Sequence, residues 1–175
     1  MASVTSRTAN WRLFGGSALI IAAVLWILFL LTSVSWLQAL AWLVLAAGLV
    51  IVGLGQTGGN GAVGKYVPGK VALVLFAAGY AIFALNVIVP IQGLLVVGAI
   101  LIIVAGLFSA WAIERKSVAK GAARWIMFLP AVVGALAFAG FVYSPLTTSA
   151  WIIYVLAILF GITGALYLLN DRKIG

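Results

Sequence analysis

The sequence predicts an all-α integral membrane protein of six transmembrane helices, arranged as three tandem helical hairpins with both termini on the cytoplasmic side. Three observations predict it. Of the 175 residues, 66% are hydrophobic and only 7% are charged, whereas a soluble domain carries roughly 25% charged residues. Six apolar runs are each long enough to span a bilayer. All ten Lys and Arg residues lie at the ends of these runs or in alternate links between them.

A soluble fold of this length leaves much of its chain exposed and has no place for so much apolar surface. Crossing a hydrocarbon core of about 30 Å takes about 20 apolar residues in a helix. The runs at 13–31, 35–54, 70–89, 91–113, 124–143 and 149–169 qualify, and none has an Asp, Glu, Lys or Arg in its middle. Each is expected to be helical, because a spanning segment must satisfy its own backbone hydrogen bonds. The alternation of a transmembrane barrel strand is absent. The first run is read as a membrane helix rather than a cleaved signal peptide, since it is long enough to span. Residues 1–175 form one transmembrane domain on this reading.

The links alternate in kind. Three are short and uncharged: 32–34, the turn at Pro90, and 144–148. Two are longer and basic: 55–69 carries Lys65 and is followed by Lys70, and 114–123 carries Arg115, Lys116 and Lys120 and is followed by Arg124. Arg7 and Arg12 precede the first run, and Arg172 and Lys173 follow the last. Six passes place all of these on one side, and the positive-inside rule makes that side the cytoplasm. The net charge of +8 and pI near 10.3 then fit anionic lipid headgroups as partners, not nucleic acid. Trp11, Trp111, Trp125 and Tyr167 fall at the expected inner interface, and Trp36, Trp151 and Tyr143 at the outer one, where amphipathic rings concentrate. Trp26 and Trp42 lie deeper and are expected to pack against other helices.

The chain has no Cys and no His. This removes disulfides, a thiolate nucleophile, the usual general base and the commonest metal ligand. No catalytic, cofactor-binding or metal-binding residue is expected, and the chain does not read as an enzyme.

The uncharged turns are centred near residues 34, 90 and 146, about 56 residues apart. Each repeat, at about 11–55, 69–113 and 123–170, opens with a basic residue and closes with a Gly or Ala cluster. Three hairpins in about 175 residues, outer turns with Pro90 and Pro145, and small residues near the hairpin ends resemble the HdeD family. That family comprises small six-pass bacterial inner-membrane proteins whose founding member is associated with acid resistance. The resemblance implies a multi-pass protein of the bacterial plasma membrane and supplies no catalytic residues. Members often place Trp-Pro at the outer end of the first helix; here residues 31–36 read Leu-Thr-Ser-Val-Ser-Trp.

The segment 59–65, Gly-Asn-Gly-Ala-Val-Gly-Lys, fits G-x-x-x-x-G-K, but Tyr66 stands where a P-loop needs Ser or Thr, and no strand precedes it. Two G-x-G-x-x-G matches, at 53–58 and 59–64, lack the βαβ unit and the following acid. All three read as a glycine-rich loop. Glu114 and Asp171, the only acids, read as solvated surface partners of neighbouring basic residues.

The polar residues in or beside the spans include Ser17, Gln38, Tyr80, Asn86, Gln92, Ser109, Tyr154 and Thr163. Gln38, Asn86 and Gln92 lie near the outer ends. They read as interhelical hydrogen bonding or as the polar lining of a small outward-facing cavity. Small residues at four-residue spacing, Ala18/Ala22, Ala77/Ala81, Gly106/Ala110, Ala157/Gly161 and Gly161/Ala165, mark faces where helices approach closely, within the chain or in an oligomer. Pro130 should kink the fifth span.

These features predict a small structural or accessory membrane protein, related to stress or acid resistance by its resemblance, or a subunit of a larger membrane complex or homo-oligomer. The alternative is a small transporter or channel for a neutral or lipidic solute.

Overall fold

A computed structural model describes residues 10–55, 61–116, 121–143 and 150–169. Arg7, residues 56–60, Ser117, Lys120, Pro145, Asp171, Arg172 and Lys173 lie outside it, as do the side chains of Gln92, Tyr143 and Trp151. The described residues are almost entirely helical: α1 (Asn10–Thr32), α2 (Ser35–Leu54), α3 (Val67–Ile88), α4 (Gln92–Lys116), α5 (Ala122–Trp125), α6 (Phe128–Tyr143) and α7 (Ala150–Leu169). Six helical segments are long and apolar enough to cross a membrane, the fifth formed by α5 and α6 together.

Local chemistry sets the boundaries. The α2 helix ends at Gly55, at φ 74°, whose N–H donates to the Ile51 carbonyl at 2.9 Å; glycine enters this left-handed region without a Cβ penalty. Pro68 sits in the first turn of α3, where a missing N–H costs nothing. The Val89 N–H closes α3 on the Leu85 carbonyl at 2.8 Å, and Pro90 then prevents continuation.

Pro130 does more than kink the fifth span. It has no N–H to offer the Ile126 carbonyl four residues back, and its ring crowds that carbonyl. The helix breaks there, into α5 and α6. The Leu129 N–H turns tightly onto the Ile126 carbonyl at 3.1 Å, and the Ala131 N–H resumes the helical ladder on Met127 at 3.2 Å.

The helices form a ring. In sequence, α1 packs on α2, α2 on α3, α3 on α4 and α4 on α6, and α7 returns to pack against α1, so that the ring is open between α6 and α7. The α6 and α7 helices scarcely meet. Neighbours run antiparallel: Gly15 near the start of α1 lies beside Val52 near the end of α2, and Gly69 at the start of α3 beside Ala112 near the end of α4. At the same end Trp11 meets the Tyr167 ring edge-on at 5.7 Å, and Glu114 on α4 meets Arg124 on α5. The described basic residues Arg12, Lys65, Lys70, Arg115, Lys116 and Arg124 therefore share one end of the ring, and the turns at 33–34 and 89–91 occupy the other.

Bilayer-exposed helices gain little from hydrophobic burial against one another, so close van der Waals approach holds them. A methyl group added at Gly16 would stand 2.8 Å from the Gly164 carbonyl oxygen, across the α1–α7 crossing. One added at Gly79 would stand 2.9 Å from the Gly98 carbonyl oxygen, across α3–α4.

Aromatic rings fill the ring's centre. Trp26 meets Trp42 edge-on at 4.5 Å, Trp42 stacks on Tyr80 at 5.3 Å with a 16° interplanar angle, and Tyr80 meets Phe160 edge-on at 5.9 Å. The two deep tryptophans thus pack between helices. Trp11 lies at the basic end as its position implies, but it is covered by the chain itself: it is only 3% exposed, against 62% for Trp36 and 56% for Trp125. The Tyr167 ring covers one side of it, and the Arg12 guanidinium lies 5.4 Å from its centroid.

Candidate functional site

Above the aromatic core, at the end with the short turns, lies a cavity of about 410 Å³. Five helices contribute to it: α2, α3, α4, α6 and α7. It occupies the region where α6 and α7 part. Its walls are mostly apolar, and Gln38 and Asn86 are its two polar side chains among the described residues.

The rings of the wall hold one another in place. Phe83 meets Phe138 edge-on at 4.7 Å, and Trp42 lies 5.7 Å from Phe83 and 6.4 Å from Phe138. Trp42 is also fixed from behind by Trp26 and Tyr80. The wall is therefore formed before any ligand arrives.

The two carboxamides are held differently. Asn86 Oδ1 accepts a hydrogen bond from the Ile91 N–H at 2.9 Å, across the turn at Pro90. This bond fixes the amide plane and leaves the Asn86 Nδ2 group as donor. Gln38 has no hydrogen-bond partner among the described residues. Gln92 opens α4, and its side chain lies outside the described residues. The structure thus brings two of the three outer polar residues to one cavity. Ser109 and Thr163 are elsewhere and buried, each donating its hydroxyl back to its own helix, to the Ala105 and Leu159 carbonyls.

The small residues serve contacts inside the ring. A methyl at Gly106 would meet the Phe76 ring at 2.9 Å, and one at Gly161 would meet the Ala23 methyl at 3.4 Å. Ala110 and Ala157 are fully buried, and Ala165 is half-buried. The tightest crossings, at Gly16/Gly164 and Gly79/Gly98, join residues of different helices and so escape a four-residue spacing rule within one helix.

The described part of the glycine-rich loop, residues 61–64, packs closely against the rest of the chain. Ala62 and Val63 are buried, the Ala62 N–H donates to the Val52 carbonyl at 2.7 Å, and the Gly64 N–H to the Gly61 carbonyl at 2.9 Å. Residues 61–64 are folded against the end of α2, with Gly61 hard against the Gly53 carbonyl. These N–H groups serve the fold, not a phosphate cradle.

Glu114 is also more enclosed than a solvated surface acid. Its side chain is 15% exposed and pairs with Arg115 at 3.2 Å and Arg124 at 3.6 Å. Arg124 Nε donates in addition to the Glu114 main-chain carbonyl. The pair ties α5 to the last turn of α4 across the basic link.

Among the described residues there is no group of three metal-ligating side chains. What the cavity offers chemically is apolar contact, aromatic faces and amide hydrogen bonds. The aromatic wall was readable in part: Gln38 and Trp42 are four residues apart on α2, and Phe83 and Asn86 three apart on α3, so each polar residue shares a helical face with a ring. Comparison with protein-family models, with curated proteins and with solved structures finds no match.

Proposed function

We propose that this chain is a small structural or accessory protein of the bacterial plasma membrane, built of three tandem hairpins with both termini cytoplasmic. The observation that carries the reading is the distribution of its surface. Large apolar side chains such as Leu31, Val104, Leu136 and Ile158 are exposed around the ring, while the described basic residues gather at one end. Such a surface is suited to lipid and to the apolar flanks of other membrane proteins. The resemblance to the HdeD family points the same way, toward envelope stress or acid resistance, alone as a homo-oligomer or within a larger complex.

The test is capture of the tagged chain from gently solubilised membranes, with native mass of what is recovered. A stoichiometric larger partner, or a defined homo-oligomer, supports the accessory reading. A monomer that brings nothing with it counts against it. Orientation is tested separately, since the chain has no cysteine. With an impermeant maleimide on intact cells, Ser33→Cys should label and Lys116→Cys should not.

A second reading, a transporter or channel for a neutral or lipidic solute, is favoured by the cavity where α6 and α7 part. Flux of such a solute into liposomes that depends on the purified chain would support it.

A further inference from the structure

We infer that the cavity at the short-turn end is a binding site for an uncharged, lipid-soluble molecule that carries a carbonyl or ether oxygen on an aromatic or cyclic body. The site stands whether or not the chain moves its ligand.

Four observations converge on that class. The volume of about 410 Å³ falls within the roughly 300–1,000 Å³ of small-molecule sites. The wall presents three interlocked rings, Trp42, Phe83 and Phe138, whose faces and edges favour a flat ring system over a branched chain. No charged side chain lines it among the described residues, and an ion entering so apolar a space would be unpaired, at high cost. Finally, the hydrogen-bonding capacity is biased. Asn86 Oδ1 spends one of its two lone pairs on the Ile91 N–H, so the two amides together offer four N–H donors against three remaining acceptor lone pairs. A site richer in donors than acceptors selects a ligand richer in acceptors.

The four features are not explained by packing alone. The cavity differs from an apolar packing defect in having an amide held in a fixed plane by a turn and a second amide with no partner among the described residues.

Benzophenone fits the class, being uncharged, aromatic and a ketone, and it cross-links to nearby C–H groups on irradiation. The full chain in lipid nanodiscs would be irradiated with benzophenone and the adducts mapped by mass spectrometry. Adducts are expected to concentrate on Trp42, Phe138 and Leu156. Gln38→Leu should lower the labelling of these residues about fivefold, the worth of one hydrogen bond, and it breaks no bond among the described residues. Ala137→Trp, which places a ring in the cavity from a half-buried position, should lower it tenfold or more. The carboxylate 4-benzoylbenzoate should label them at least tenfold less. Thermal unfolding of each variant close to that of the parent confirms that the fold is retained. Labelling spread over lipid-facing residues such as Val104 and Ile158, unchanged by both variants, would mean partition into lipid only and would overturn the assignment.

Discussion

Arg124 holds Glu114 twice over: its Nε donates to the Glu114 main-chain carbonyl, and its guanidinium pairs with the carboxylate at 3.6 Å. The first contact satisfies a carbonyl in the last turn of α4, where helical partners run out. The second is an ion pair whose arginine is 41% exposed, so solvent weakens it.

The two contacts predict unequal losses. Arg124→Ala removes both and should destabilise the protein by about 1–2 kcal/mol. Glu114→Gln removes only the ion pairs and should cost less than about 1 kcal/mol. High salt should shrink the Glu114→Gln effect and leave most of the Arg124→Ala effect. Chemical denaturation in detergent at two ionic strengths measures both.

Tyr80 is fully buried and its hydroxyl has no hydrogen-bond partner among the described residues. Tyr80→Phe should therefore be neutral or stabilising by about 1 kcal/mol. A methyl at Gly134 would stand 3.5 Å from that hydroxyl, in ordinary contact. Gly134→Ser should therefore give it a partner and be more stable than Gly134→Ala by about 1 kcal/mol. A Tyr80→Phe background should erase the difference between serine and alanine.

Gly16 and Gly164 should tolerate no side chain. Gly164→Leu forces α7 off α1 and should cost about 3 kcal/mol or more. Gly93→Ala is the control: nothing lies within 4 Å of its position, and the change should be neutral or stabilising by up to about 1 kcal/mol. Thermal melts of the purified variants decide it.

Ser33 has φ 57°, a left-handed conformation that disfavours any residue with a Cβ. Its N–H donates to the Phe29 carbonyl at 2.7 Å, so the turn enforces it. Ser33→Gly should stabilise by roughly 0.5 kcal/mol, the relieved strain being partly offset by glycine's freedom in the unfolded chain. Ser33→Val should destabilise by more than about 1 kcal/mol.

The six spans were legible because bilayer crossing imposes length and apolarity on each segment alone. Pro130 was legible as a disturbance, and the break at Ile126 follows from the same missing donor. Trp11 was not legible as a buried residue, because its cover is Tyr167, more than 150 residues away. Gln38 and Asn86 stood out as amides in apolar runs. That they meet at one cavity depends on which helices adjoin, and the parting of α6 from α7 depends on it too. Gly16 and Gly164 were hidden by abundance: with 20 glycines in the chain, only the crossing shows which ones matter.

The packing of α7 on α1 has a consequence for biogenesis. A chain is made N-terminal end first, so of the two neighbours of α1, α2 follows at once and α7 comes only after the other described helices. Until α7 is made, the groove at Gly16 on α1 stands open, and only synthesis of α7 supplies Gly164 to fill it. Assembly of this seam therefore waits on α7: a chain truncated before it would retain five of the six apolar spans and lack the contact between α1 and α7.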